Sequence, residues 1–313
     1  MLILGFNSTH DASAALVQDG RIVAAIEEER LTRAKHQGGF PRLAIDAVLR
    51  HAGASVSDLD AVTHYWNPWA GLGRFAWHLV KNLPGSLEYF RRQPGVWGHM
   101  RGLPARVRRE LGYRGPFHHV NHHEAHAAST FYPSSFDEAA ILTLDGTGEW
   151  TTTLMAFGRD CRIERVAAVD YPHSLGKVYE ALTQYLGFRP MSGEGKVMGL
   201  APFGQPRYLD LMRRIIQSRP PLGYQVDTSY FAYHLGRGIK YSPKLVEQLG
   251  PPREAESEID DRHRDVAASL QARLEEVALD LARSLRERTG ARRLCLAGGV
   301  AFNSVMNGRI LRE

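Results

Sequence analysis

Cysteine is scarce in this chain, and long apolar runs are missing. Cys161 and Cys295 are the two cysteines among 313 residues. That is too few for a disulfide framework or a cysteine-rich zinc site, and it fits a reducing compartment. No run approaches the roughly 18 consecutive apolar residues of a membrane span, and residues 1–7 lack the basic and apolar regions of a signal peptide. We therefore expect a cytoplasmic protein with no membrane partner.

A strong excess of one charge is also missing, since the formal net charge is +5. The length and the 43% hydrophobic content are those of a globular protein with two cores. Much of the positive excess lies in one segment, at Arg91, Arg92, Arg101, Arg106, Arg108 and Arg109. This segment could attract phosphate-rich partners, but no nucleic-acid-binding signature accompanies it. We favour a solvated helix face whose arginines cover apolar surface, so nucleic acid is an unexpected partner.

A strand pattern occurs twice. In residues 2–30, three apolar stretches are separated by a polar turn and by Asp19-Gly20, a strong hairpin signal. The same order returns in residues 139–170. Each set leads into helical periodicity, at residues 41–51 and 174–186. The repetition predicts two related lobes, residues 1–136 and 137–313, divided at a turn near Phe136.

Two histidines could form part of a metal site. His122 and His126 lie four residues apart, so that on a helix they would share one face. Asp145, at the end of an apolar strand, would add a carboxylate to give a ligand set that suits iron, zinc or manganese. An isolated pair of this kind is more often a solvated helix start, and the surrounding motifs reverse that preference.

Glycine-containing turns follow two of the predicted strands. Gly146 and Gly148 would let backbone amides approach a polyphosphate, while Asp11 and Asp145 could hold a cation or a water against it. The apolar run 294–297 leads into Gly298-Gly299 and a helix that begins near Asn303, an arrangement that suits a bound nucleotide. Each signal alone is weak, but together they indicate a ligand cleft.

Taken in order, these motifs resemble the carbamoyltransferase family, which includes the nodulation, cephem and tobramycin O-carbamoyltransferases. The resemblance covers nearly the whole chain. It is carried by residues 7–15, 27–33, 35–36, 40–41, 122–126, 144–149, 192–201 and 298–303.

The resemblance implies an α/β fold of the actin-like ATPase (ASKHA) class, with two RNase H-like lobes and a mononuclear iron-type site. Family members look like two-domain enzymes whose C-terminal domain makes carbamoyl-adenylate from carbamoyl phosphate and ATP. The present lobes would receive that intermediate and pass its carbamoyl group to a hydroxyl of a sugar or antibiotic-like small molecule.

Residue by residue, the resemblance implies that His122, His126 and Asp145 bind Fe(II) or another divalent metal. His10 matches a catalytic histidine, which could accept the proton of the acceptor hydroxyl, and Asp11 could orient it or act alone. The residues expected to line the adenylate are Gly146, Thr147, Gly148, Gly298, Gly299 and Asn303. Those expected to close on the phosphate or carbamoyl side are Gly193, Glu194, Gly195 and Lys196.

One departure from the family pattern concerns the C-terminal side. A further metal-ligating aspartate and the adenylate-forming domain, both expected beyond residues 298–303, have no counterpart here. We therefore expect a C-terminally truncated second lobe from a longer enzyme, which alone could bind metal weakly and could lack turnover. Two other functions stay open: threonylcarbamoyl transfer to tRNA, since that family shares the fold and the His-x-Glu-x-His motif, and a non-catalytic nucleotide-binding fragment.

Overall fold

A computed structural model describes residues 1–236 and 238–313, and at residues 92–94 the description stops at the backbone. Its strands are β1 (Leu2–Asn7), β2 (Ser13–Gln18), β3 (Arg21–Glu27), β4 (Ala61–His64), β5 (Phe117–His119), β6 (Glu138–Leu144), β7 (Thr151–Arg159), β8 (Arg162–Asp170), β9 (Ile216–Ser218), β10 (Tyr224–Val226) and β11 (Leu294–Ala297). Its helices are α1 (Glu28–Thr32), α2 (Arg42–His51), α3 (Leu72–Lys81), α4 (Leu87–Leu111), α5 (His122–Phe131), α6 (Leu175–Tyr185), α7 (Glu194–Leu200), α8 (Leu209–Ile215), α9 (Pro243–Leu249), α10 (Asp261–Thr289) and α11 (Ser304–Arg312).

Unit 1, residues 1–70 and 92–125, contains a five-stranded sheet of order β3-β2-β1-β4-β5. The predicted hairpin is confirmed, since Asp19 and Gly20 join β2 to β3 with positive φ angles of 50° and 80°. Strands β4 and β5 continue the sheet in parallel with β1. Alternate residues of β1 are buried and pack with the apolar face of α2, including Ile45 and Val48.

Unit 2, residues 71–91 and 126–313, contains a sheet of order β11-β6-β7-β8. Strands β6, β7 and β8 are antiparallel neighbours, and β11 pairs with β6 in parallel. This order repeats that of β4-β1-β2-β3 in unit 1, so the predicted duplication is confirmed. The described residues form an α/β fold in which the two sheets share this strand order. The 29-residue helix α10 packs through Val266, Leu274 and Leu281 into the core of this unit.

The two units divide at His126, ten residues before the boundary predicted near Phe136. The reason is helix α5, whose Ala127 and Phe131 pack with Ile141 of β6 in one apolar cluster. The ring of Phe131 lies so close to Gly158 that a Cβ there would be 2.8 Å from it. The second half of α5 therefore folds as part of unit 2.

Helix α4 contains the whole basic segment. The guanidinium carbon of Arg101 lies 4.3 Å from the ring centroid of Trp69, and that of Arg106 lies 5.2 Å from the ring centroid of Phe40. Arginines that cover aromatic rings in this way fit the favoured interpretation of an exposed helix face. The side chain of Arg92, which belongs to the same prediction, lies outside the described residues.

Helix α11 packs on unit 2 through part of its apolar face. Met306 is fully buried, and Ile310 packs against the core of unit 2. Phe302 and Leu311 are exposed, at 87% and 88% of their surface. Within the described part of the chain, none of the helices is both long and apolar enough to cross a membrane.

Candidate metal and nucleotide site

Helix α5 brings two of the predicted metal ligands onto one face. His122 is its first residue and His126 follows one turn later. The Nε2 atom of His126 lies 3.2 Å from Oδ2 of Asp145, and one potential ligand atom from each of His122, His126 and Asp145 lies within 4.8 Å of the others. The two histidines are held at this spacing because both belong to helix α5, whose second half packs in the interior of unit 2. The structure thus brings the three predicted residues together.

Asp145 is oriented by backbone amides. Its Oδ1 atom accepts hydrogen bonds from the backbone N–H of Gly146, at 2.7 Å, and of Gly299, at 3.3 Å. Its Oδ2 atom faces His126. Because one oxygen is held by the chain, the other is presented in a fixed direction, as is usual for supported metal ligands.

The Gly298-Gly299 turn reaches Asp145 because β6 and β11 run in parallel and end at the same edge, with Ala297 opposite Thr143. Gly298 has a φ of 94°, and a Cβ on it would lie 2.3 Å from the carbonyl oxygen of Leu144. Glycine is therefore required at this position for the close approach of two chain segments. This close contact is with the chain itself, and nucleotide binding by Gly298 and Gly299 stays a prediction.

The start of helix α6 packs on the turn that follows β6. Ser174 Oγ donates to the carbonyl oxygen of Gly146, at 2.6 Å, and accepts from the backbone N–H of Lys177, at 3.0 Å, which caps the helix. A Cβ on Gly176 would lie 2.7 Å from the backbone nitrogen of Gly146. Gly148 donates its N–H to Thr151, and Thr147 Oγ1 donates to the carbonyl oxygen of Gly148. The turn is therefore rigidly held.

Lys177, which was not among the predicted site residues, lies beside the Gly146 turn. Its Cε atom lies 3.6 Å, and its Nζ atom 3.9 Å, from the position that a Cβ on Gly146 would take. Nζ also donates to Oε2 of the buried Glu180 at 2.8 Å, and Lys240 Nζ lies 3.0 Å from the other oxygen of Glu180. The two lysines hold the pKa of Glu180 below its usual range in spite of its burial. The sequence feature that could have indicated Lys177 is the combination of Ser174, Gly176 and Lys177 at the start of helix α6.

Asn303 has a structural position. Its side chain is buried, and its Oδ1 accepts from the backbone N–H of Met306 at 2.9 Å, which caps α11. Its amide group also exchanges two hydrogen bonds with that of Gln271, at 2.8 and 3.0 Å. These contacts hold the turn before α11, and a part for Asn303 in nucleotide binding stays a prediction.

The predicted residues 193–196 lie at the start of helix α7. Glu194 Oε1 accepts the backbone N–H of Met191 at 2.8 Å, and Gly193 is buried. The exposed Lys196 places Nζ 5.8 Å from the ring centroid of Phe188. Met198 of the same helix contacts Ser304 Oγ at 3.8 Å, so α7 adjoins the first turn of α11.

His10 and Asp11 lie in unit 1, in a turn fastened by Asn7. The Asn7 side chain donates to the carbonyl oxygens of His10 and Asp11, both at 2.9 Å. The Asp11 carboxylate lies 2.9 Å from Nδ1 of His36 but 3.9 Å from Nδ1 of His10. The imidazole of His10 is 60% exposed. Asp11 is therefore bonded to His36, while the His10 ring projects into solvent.

A second group of potential metal ligands surrounds that turn. Asp11, Glu29 and His36 also bring ligand atoms within 4.8 Å of one another. Their polar atoms already bond among themselves, since Glu29 Oε2 accepts the backbone N–H of His36 at 2.8 Å. Ala12 donates its N–H to the carbonyl oxygen of Gln37, at 2.9 Å. These contacts fasten the turn to residues 28–37.

The residues at His122, His126 and Asp145 fit a divalent metal by their chemistry. Two imidazole nitrogens and one carboxylate oxygen suit iron, zinc or manganese. Their potential ligand atoms all lie within 4.8 Å of one another, a spacing that two metal–ligand bonds of about 2.1 Å nearly span.

Comparison with known proteins gives a family match across the chain. The model described as "Carbamoyltransferase N-terminus" matches residues 2–313. An uncharacterized protein of Synechocystis is 39% identical, over 99% of this chain and 52% of its own length. The nodulation protein NolNO of Sinorhizobium fredii is 35% identical, over 97% of this chain and 42% of its own length. The chain thus spans about half the length of these two relatives.

Two more distant similarities were found. A tRNA N6-adenosine threonylcarbamoyltransferase of Chlorobium phaeovibrioides is 26% identical, over 100% of this chain and 85% of its own length. Among solved structures, HypF of T. kodakarensis aligns with 99% of this chain and 43% of its own, at a TM-score of 0.47 and 15% identity.

Proposed function

The chain belongs to the carbamoyltransferase family, whose N-terminal part it matches, and from this premise we propose an O-carbamoyl transfer reaction. The donor is carbamoyl-adenylate, made from carbamoyl phosphate and ATP. The acceptor is a hydroxyl of a sugar or antibiotic-like small molecule. The remaining length of the relatives would supply the adenylate-forming step, and the compartment would be the cytoplasm.

The observation that carries this proposal is the group formed by His122, His126 and Asp145. A divalent metal such as Fe(II), held by these residues, would act as a Lewis acid on a carbamoyl or phosphate oxygen. The chain's own contribution is to hold Asp145 by the amides of Gly146 and Gly299, so that the ligand set is preorganised. The glycine turns beside Asp145, supported by Asn303, would bind the adenylate, and residues 193–196 would close on its phosphate or carbamoyl side.

We assign the proton transfer to His10. The acceptor oxygen forms a bond to the carbamoyl carbon, the bond from that carbon to the phosphate oxygen breaks, and AMP leaves. The hydroxyl proton passes to the exposed imidazole of His10, whose backbone is held by Asn7. Asp11, bonded to His36, keeps the turn in place.

The test is transfer by this chain from supplied carbamoyl-adenylate labelled in its carbamoyl group. We expect AMP release that accelerates with a suitable hydroxyl acceptor, together with label in the acceptor. Tight ATP binding with no acceleration by any of a panel of sugar and aminoglycoside acceptors would favour a non-catalytic nucleotide-binding module.

A second candidate is threonylcarbamoyl transfer to tRNA. It is favoured by the similarity to the Chlorobium enzyme, which extends over 85% of that protein. The exposed arginines of α4 would then contact phosphates, and tRNA binding would weaken steeply with salt. Salt-dependent tRNA binding in a gel-shift assay, lost when Arg108 and Arg109 are replaced by Gln, would support this candidate over a small-molecule acceptor.

A further inference from the structure

Lys177 occupies the space beside the bare backbone of Gly146. The α6 start is held on the turn by the hydrogen bond from Ser174 Oγ to the Gly146 carbonyl oxygen. Gly176 allows this contact, because a Cβ there would lie 2.7 Å from the Gly146 nitrogen. Consequently the Lys177 ammonium lies 3.9 Å from where a Gly146 side chain would begin. A ligand atom seated on this glycine would meet that ammonium directly.

The charge around Lys177 is not balanced within its own cluster. Glu180 is the carboxylate to which both Lys177 and Lys240 bond, at 2.8 and 3.0 Å, so the three groups together carry one positive charge. Glu180 is buried, and the side chains of Lys177 and Lys240 are only 22% and 24% exposed. Solvent therefore screens the surplus charge weakly, and an anion at this position would be stabilised.

We propose that Lys177 binds a phosphate group of the nucleotide at the Gly146–Gly148 turn, with Glu180 holding its ammonium in position. The inference rests on the proposed nucleotide function of the same turn, and it adds a cation to a site that otherwise offers backbone groups. An ammonium on a phosphate forms a charge-assisted hydrogen bond, the stronger class of such bonds. Lys240, bonded to the other oxygen of Glu180, supplies the second positive charge that leaves Lys177 available to the ligand.

The test is calorimetric titration of the chain with ATP, AMP, adenosine and inorganic phosphate. For Lys177→Gln we expect ATP affinity to fall about 10-fold or more, with adenosine affinity unchanged, since a charged contact to phosphate is lost. The comparison variant Lys240→Gln removes the second positive charge from the same carboxylate but no phosphate contact, so it should lower ATP affinity by a smaller factor than Lys177→Gln does. Lys177→Arg should retain most of the affinity.

The outcomes separate this inference from the proposed function. If the unaltered chain binds neither ATP nor AMP, the nucleotide function itself fails. If it binds ATP and Lys177→Gln binds equally well, the assignment of Lys177 alone is overturned. Equal losses in Lys177→Gln and Lys240→Gln, a parallel loss of adenosine affinity, or a loss confined to inorganic phosphate would also overturn it.

Discussion

The two carboxylate oxygens of Asp145 have different partners. One oxygen accepts two backbone amides, and the other faces the imidazole of His126. The sequence predicted that Asp145 would lie near His122 and His126, because a helical His pair and a strand-end aspartate are local patterns. It could not predict the amide of Gly299, which lies 154 residues away along the chain.

His10 gives a prediction that separates catalysis from binding. His10→Asn should slow carbamoyl transfer about 100-fold or more, because the group that accepts the proton is removed. Adenylate binding should be nearly unchanged, since the exposed ring makes few contacts with the rest of unit 1. Rates from single turnovers, set beside the dissociation constant for AMP, measure both effects.

The matched control for that experiment is His51→Asn, a change of an exposed histidine at the end of α2. It should alter neither the rate nor the dissociation constant. Loss of AMP binding in His10→Asn would instead show that His10 is a structural or ligand-binding residue.

Among the secondary-structure elements, those with strong local signals were predicted well. Asp19-Gly20 marks the β2–β3 hairpin, and the apolar period of residues 41–51 matches α2 within one residue. The assignment of residues 71–91 to unit 2 could not be predicted. It depends on long-range contacts, such as that of His78 Nε2 with the carbonyl oxygen of His234 at 3.0 Å.

The same limit explains why Lys177 was missed. The periodicity of residues 174–186 predicts helix α6, and its observed bounds are Leu175–Tyr185. Which strand-end turn the helix start would contact depends on tertiary packing, here the close approach of Gly176 to Gly146. The local sequence therefore predicts helix α6, but its contact with Gly146 is known only from the folded structure.

Gly298 and Gly199 provide a paired test at the scale of elements. Gly298→Ala should lower the free energy of unfolding by about 3 kcal/mol or more, because its φ of 94° and the Leu144 carbonyl oxygen at 2.3 Å leave no room for a Cβ. Gly199→Ala, in helix α7 with open space around it, should raise stability by about 0.5–1 kcal/mol. Urea unfolding of both variants measures these changes.

Equal effects of the two glycine substitutions would contradict the account of the turn at Asp145. In particular, an unchanged urea midpoint for Gly298→Ala would mean that the Gly298-Gly299 segment does not pack on the end of β6.

For the whole molecule, histidines with lowered pKa values should make the free energy of unfolding decrease as the pH falls. Burial, together with the neighbouring His119, lowers the pKa of His64 to about 3. Burial also lowers the pKa values of His78, His99, His173 and His263. Unfolding returns each imidazole to an ordinary pKa of 6.5, so the unfolded chain binds more protons in this pH range.

It follows that stability is fully present above pH 6.5 and falls as the pH is lowered. His64 alone should account for a loss of about 2 kcal/mol by pH 5, and the other four histidines act in the same direction. Urea midpoints measured at pH 8, 7, 6 and 5 should decline mainly below pH 6.5. A flat profile down to pH 5, with decline only in the range where carboxylates titrate, would contradict the burial of neutral imidazoles.

The central claim for the molecule is that α5 and the end of β6 together form a metal site. The most direct measurement is the metal content of the purified chain by atomic absorption, for the unaltered sequence, His126→Ala and His118→Ala. Alanine is well tolerated in a helix, and His118 is an exposed histidine of β5 outside the ligand group, so it serves as the control. We predict about one metal ion per chain, kept in His118→Ala and lost in His126→Ala, with circular dichroism unchanged. Equal occupancy in His126→Ala and the unaltered chain would contradict the account.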